Sequence, residues 1–141
     1  MNSYPFDVHA VCCTVQMLWY GWIGFNSVSS LVIVGKGLMV GKTVVNTIIS
    51  AAMGGVSSTF VAMICKGYVD PQAANNGILT GLVAVTGSCA LVQPEGALLI
   101  GAVAGLIYQA GGALLLKLRI DDVVNAAPVH LGKPQIMSIL H

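Results

Sequence analysis

The charged residues of this chain stand in a few clusters, and the long intervals between those clusters constrain the fold more than any other feature. Asp7 and Lys36 bracket 28 uncharged residues, Lys42 and Lys66 bracket 23, Asp70 and Glu95 bracket 24, and Glu95 and Lys117 bracket 21. A helix rises about 1.5 Å per residue and the hydrocarbon layer is about 30 Å thick, so about 20 predominantly apolar residues suffice for a crossing. Each interval can hold one. A soluble domain of this length would carry about 25% charged residues to hydrate its surface. Here only 8% of 141 residues are charged, while 56% are hydrophobic. The chain is therefore read as an integral membrane protein. Helices are required, because an open strand would leave backbone groups unpaired in lipid and no alternating barrel pattern is present.

The expected fold is all-α, a polytopic transmembrane helix bundle with four full spans over 8–34, 43–65, 73–92 and 96–116. Lys36-Gly37 with Gly41-Lys42, the stretch 66–71, and Gln93-Pro94-Glu95 read as the turns between them. A truncated fifth segment follows at 121–132, and a divergent tail at 133–141 begins with Lys133-Pro134. Charge sets the orientation poorly. The first and third turns together hold two Lys or Arg and the second and fourth together hold three. The polar, acidic start up to Asp7 does not read as a secretory signal. A net charge of +1 with no basic block excludes a nucleic-acid partner and an electrostatically held surface protein.

Small residues give the spans a further property. Gly77 with Gly81, and Gly101 with Gly105, lie four residues apart, each pair making a groove on one helix face. Ser50-Ala51-Ala52 and Gly54-Gly55 add small residues to the second span. Lipid tails give apolar helices no reason to associate, so close backbone approach at such grooves is what holds a bundle together. A tight multi-helix bundle is expected.

Several chemical readings fail on spacing. The stretch 31–43 ends in Gly41-Lys42-Thr43, yet Gly37 leaves three residues before it and Gly35 leaves five, where a phosphate-binding loop needs four. Cys12 and Cys13 are adjacent and Cys65 and Cys89 stand alone, so there is no Cys-x-x-Cys and no alternation with His at zinc spacing, and neither His9 nor His141 has a His or carboxylate at i+3 or i+4. No metal site, no cofactor and no enzyme activity is expected.

Two places carry informative groups. In LWYGWIGFNSVSS (18–30), Trp22, Phe25 and Ser29 fall on one helical face at i, i+3 and i+7. An aromatic face attracts ammonium-type cations through the ring quadrupole, by up to about 2 kcal/mol when desolvated. The competing reading is an interfacial belt of Trp19, Tyr20 and Trp22 with Phe25 packed in the bundle. The second place is His130, an ionisable group in an apolar segment, where a neutral imidazole can donate at one nitrogen, accept at the other and pass a proton. Asp121 and Asp122 stand where that segment starts and read as helix N-terminal carboxylates, favoured by the helix dipole and by capping.

These residues lie in motifs that resemble the ammonium transporter family, which includes the methylammonium permeases and Rh proteins, over about residues 5–132. LWYGWIGFNSVSS is similar to its Gly-Trp-x-Gly-Phe-Asn helix, and VNTIISAAMGG (45–55) to the following Asn-Thr helix. NGILTGLVAVTGSCALVQPEGALLIGAVAG (76–105) is similar to the next pair, and IDDVVNAAPVHLG (120–132) to the histidine-bearing helix. The resemblance implies an eleven-helix fold, assembled as a homotrimer in the plasma membrane, with a narrow pore for ammonium or ammonia through each subunit. It implies that Phe25 is an outer gate, Trp22 a pore-lining indole, Ser29 an outer-site hydroxyl, Thr86 a pore-side hydroxyl, and His130 the second of two pore histidines. By helix order the chain starts at the family's sixth span, so the first five spans, the first pore histidine and one aromatic gate are expected to lie outside it. Asn125 stands where the family usually has an acidic residue, and Lys133-Pro134-Gln135 where it has a Gly-rich continuation. The expected function is transmembrane ammonium or ammonia transport. The alternative is a non-transporting fragment that acts only in assembly or regulation, associating with full-length family members.

Overall fold

The computed structural model describes residues 8–29, 35–118 and 129–130. Its elements are α1 (Val8–Val28), α2 (Gly37–Lys66), α3 (Pro71–Val85) and α4 (Pro94–Lys117), with no strand among the described residues. Two helices are long and apolar enough to cross a bilayer, Gly37–Lys66 and Pro94–Leu115. The remainder of the first interval, 30–34, and the expected fifth segment with Asp121 and Asp122 lie outside the described residues, apart from 129–130.

The helix ends follow local chemistry. α2 stops where Gly67 takes a left-handed conformation (φ 77°) and its amide donates to Met63 O at 2.9 Å, a C-cap that a residue with a Cβ adopts only at a cost. α3 starts at Pro71, behind Asp70, whose carboxylate accepts the Gln72 amide at 2.9 Å. Asp70 also pairs with Lys66. Burial pushes the Asp70 carboxyl up, but the hydrogen bonds from Lys66 and the Gln72 amide outweigh it and hold the group below its ordinary range. α4 starts at Pro94 with Glu95 in its first turn and ends on Lys117, charges that suit the two ends of the dipole.

Two helix boundaries differ from the sequence expectation. Residues 37–42 form the opening turn of α2 instead of a loop. Gly and Lys there punctuate the sequence without breaking the helix, because Met39 and Val40 amides already bond back to Lys36 O. The third helix ends at Val85, and 86–92 continue as turns held by Ser88 N to Val85 O (3.0 Å) and Leu91 N to Ser88 O (2.9 Å). With 15 residues, α3 is about 22 Å long, shorter than a hydrocarbon layer.

α2 is the hub, packed along α3 and α4, while α1 lies against α2 and α3. The glycine pairs permit this. A Cβ on Gly77 would sit 2.5 Å from Gly54 O, and one on Gly105 2.6 Å from the same oxygen. A Cβ on either Gly81 or Gly101 would meet Ser50 C at 2.9 Å. The α3 and α4 grooves therefore receive the same two carbonyl-bearing turns of α2 from two sides. Polar ties reinforce the contact: Ser50 Oγ donates to Gly81 O (2.9 Å), Ser58 Oγ to Ala73 O (2.7 Å), and Gln109 Nε2 to Ser58 Oγ (2.9 Å). Ala84, Val85, Cys89, Ala97, Ile100 and Ala104 close an apolar core between α3 and α4.

Candidate functional site

Trp22, Phe25 and Thr86 come together where α1 crosses the end of α3. Trp22 and Phe25, one turn apart on α1, meet edge to face with ring centroids 6.2 Å apart and planes at 62°, a geometry that sets the positive edge of one ring against the negative face of the other. Trp22 Nε1 donates to Thr86 Oγ1 at 2.9 Å, and Thr86 Oγ1 in turn donates to Leu82 O at 2.7 Å. The threonine hydroxyl thus has its own proton committed to the helix and offers a lone pair to the indole. An indole N–H has no alternative but to donate, so this bond fixes which way the ring faces.

Phe25 is 59% exposed, so its ring is open to a neighbour or a solute. With Trp22, Met17, Leu18 and Gly21 it lines an open, apolar recess of about 330 Å³. Gly21 has no neighbouring atom within 4 Å of the place a Cβ would occupy, which leaves that wall low. Ser29 follows the last residue of α1. Its amide and hydroxyl both donate to Phe25 O, at 3.0 and 2.8 Å, so the hydroxyl closes the helix end on the Phe25 carbonyl. Among the described residues no charged side chain lines the recess.

His130 is exposed, beside the buried Val129. Val129 packs with Val83 and Tyr108, and Trp22 and Leu79 lean on the same cluster. Among the described residues no hydrogen bond joins the imidazole to Trp22, Phe25, Ser29 or Thr86. Its neighbour Val129 belongs to the cluster against which Trp22 packs. Asp121 and Asp122 are outside the described residues. No group of three or more His, Cys, Asp or Glu that could hold a metal occurs among the described residues.

The structure adds buried polar residues that sequence reasoning passed over. Asn26, one turn beyond Trp22, is 1% exposed and donates to Thr47 Oγ1 at 3.1 Å. Asn46 is fully buried and donates to both Cys89 O and Val92 O at 2.8 Å, and Lys42 Nζ reaches Leu91 O at 3.2 Å. The signal for them was present: an uncharged amide inside an apolar span is costly unless paired, so each such residue implies a partner across the bundle. Asn76, which donates to Tyr108 OH at 2.9 Å, follows the same rule.

Two aromatic rings edge this apolar recess and one of them is locked by a hydrogen bond, an arrangement that can attract a small cation through the ring quadrupoles.

Known proteins resemble this chain over most of its length. The family model described as Ammonium Transporter Family matches residues 3–140, running past Gly132, where sequence reading ended the resemblance. Ammonium transporter Amt2 of Archaeoglobus fulgidus is 41% identical over 114 residues, covering 81% of this chain and 24% of that protein. The solved structure of a Sensor Amt Protein superposes with a TM-score of 0.83 at 33% identity, over 91% of this chain and 31% of that one. The crystal structure of Mep2 from Saccharomyces cerevisiae gives 0.84 at 27% identity, over 95% and 31%. The chain thus spans about a quarter of the length of the relative it matches and about a third of the solved chains.

Proposed function

The chain belongs to the ammonium transporter family, a multi-pass membrane protein with an all-α bundle, and from that premise we propose that it takes part in transmembrane movement of ammonium or ammonia. The observation that carries the reading is the Trp22 and Phe25 pair at the apolar recess, its indole held by Thr86. An ammonium ion approaching the rings gains about 0.5–2 kcal/mol from their quadrupoles, according to how far it is desolvated. Further in, a full charge loses its hydration without fixed countercharge, a penalty of several kcal/mol that favours the neutral molecule. The path therefore takes up ammonium at the aromatic recess, leaves its proton with water on the outer side, and passes ammonia.

In this reading Phe25 is the outer gate, Trp22 the pore-lining indole, and Ser29 an outer hydroxyl that steadies the gate's helix end. Thr86 orients the indole, and the His130 imidazole hydrogen-bonds ammonia. Asp121 and Asp122 stand at the start of the histidine's segment as helix N-terminal carboxylates. The working assembly is a homotrimer, or a complex with full-length family members, in the plasma membrane. Its chemistry is transport and not enzymatic turnover.

The test is uptake of labelled methylammonium by cells lacking transporters of their own. Uptake by the chain that falls in Trp22→Leu and His130→Ala supports transport. Absence of uptake, with co-purification of the chain and a full-length family member, refutes transport by this chain and assigns it to assembly or regulation.

A further inference from the structure

The two residues Asn46-Thr47 on α2 bond to the two segments that carry the Trp22–Thr86 hydrogen bond. Thr47 Oγ1 accepts from Asn26 Nδ2 at 3.1 Å and donates to Thr43 O at 2.7 Å, and Asn26 lies one helical turn from Trp22 on the same face of α1. Asn46 Nδ2 holds Cys89 O and Val92 O, both at 2.8 Å, in the turn that begins at Thr86, and Cys89 Sγ lies 3.5 Å from Thr86 O. One dipeptide therefore fixes the helix that carries the indole and the chain end that carries its acceptor.

The need for such a clamp follows from the short α3. A helix that stops early leaves carbonyls without intrahelical partners, and in an apolar layer they must be satisfied by neighbouring side chains. Past that end, in the turn 86–92, Asn46 donates to two carbonyls and Lys42 to a third. Stability alone does not explain the choice of residues. The Oδ1 atoms of Asn26 and Asn46 are buried and take no hydrogen bond among the described residues. What the donors gain is offset in part by the unmet acceptors. What the amides add is direction.

We propose that Asn46 and Thr47 are positioning residues that set the orientation of the Trp22 indole toward Thr86. The inference rests on the proposed transport path only for the use made of the bond. The bond itself is read without transport, so the two can fail separately.

The chain has two tryptophans, and Trp19→Phe leaves Trp22 as the only one. In that background the full chain, reconstituted in lipid, is examined by ultraviolet resonance Raman spectroscopy at the indole band sensitive to N–H hydrogen bonding, with far-UV circular dichroism beside it. Thr86→Val sets the band position of an unbonded indole. Thr47→Val and Asn46→Ala are expected to move the band toward that position, Thr47→Ser is expected to keep the parent position, and Thr47→Val is expected to keep its helical signal. The proposal is overturned if Thr47→Val leaves the band where it was, or if Thr47→Ser shifts it equally. A loss of helix in Thr47→Val that parallels the band shift also overturns it, since the pair would then serve folding alone. The Thr47 pair decides the matter even if Asn46→Ala fails to fold.

Discussion

Gly101→Ala is expected to loosen the bundle although alanine is the better helix former. The added methyl carbon would lie 2.9 Å from both C and Cα of Ser50, well inside ordinary contact. Those are backbone atoms of α2, with no rotamer to change, so relief requires moving α4 away from its hub. Overpacking of this kind costs about 1–3 kcal/mol. The helix-propensity gain of alanine over glycine recovers about 1 kcal/mol, which leaves a net loss of about 1 kcal/mol, and more if α2 cannot shift. Gly41 and Gly112 are helical glycines with no atom within 4 Å of where an added methyl would stand, so only the propensity gain applies to Gly41→Ala and Gly112→Ala. These are expected to be neutral or up to about 1 kcal/mol more stable. Unfolding in mixed micelles with increasing dodecyl sulfate, followed by far-UV circular dichroism, gives the midpoints. Gly101→Ala matching or exceeding the stability of Gly41→Ala would refute the reasoning, because the α2–α4 approach would then not depend on a missing methyl.

Other expectations concern the polar ties. Asp70→Ala removes the cap of α3 and should cost about 1 kcal/mol in the same titration, whereas Asp70→Asn, also a good cap, should cost less. Because the folded Asp70 carboxyl is held below its ordinary value, its contribution is full above the ordinary range near pH 4 and is lost as pH falls through the lowered value. Asp70→Asn should therefore flatten the acid limb of stability, and an unchanged limb would contradict the assignment. Gln109 and Ser58 should couple by about 0.6 kcal/mol in a double-mutant cycle of Gln109→Leu with Ser58→Ala, the average for such bonds between membrane helices. Strict additivity would argue that the bond contributes nothing.

Much of the scaffold was legible because it depends on short-range patterns. The uncharged intervals located α2 and α4, and the i,i+4 glycines at 77 and 81 and at 101 and 105 marked the faces that meet α2. The i,i+3 spacing placed Trp22 beside Phe25. Boundaries were less legible where a distant partner decides them. Lys36, Gly37, Gly41 and Lys42 look like turn residues, yet α2 runs through all but Lys36, and Lys42 reaches the turn after α3. The turn after α3 is held by Asn46, more than 40 residues away in sequence. Thr86 entered the site through family resemblance, and nothing local to it revealed that its partner was Trp22. Asn26, Asn46 and Thr47 were missed for a related reason: the cost of burying an amide implies a partner without saying which one.

The most direct measurement of the central claim is the alkalinisation of liposome interiors after an external ammonium pulse, at equal protein-to-lipid ratio. Vesicles carrying the intact chain should alkalinise faster than empty vesicles, with Trp22→Leu and His130→Ala returning close to the empty rate. Equal rates for intact and empty vesicles, or variants as fast as the intact chain, would contradict an ammonia path past these side chains.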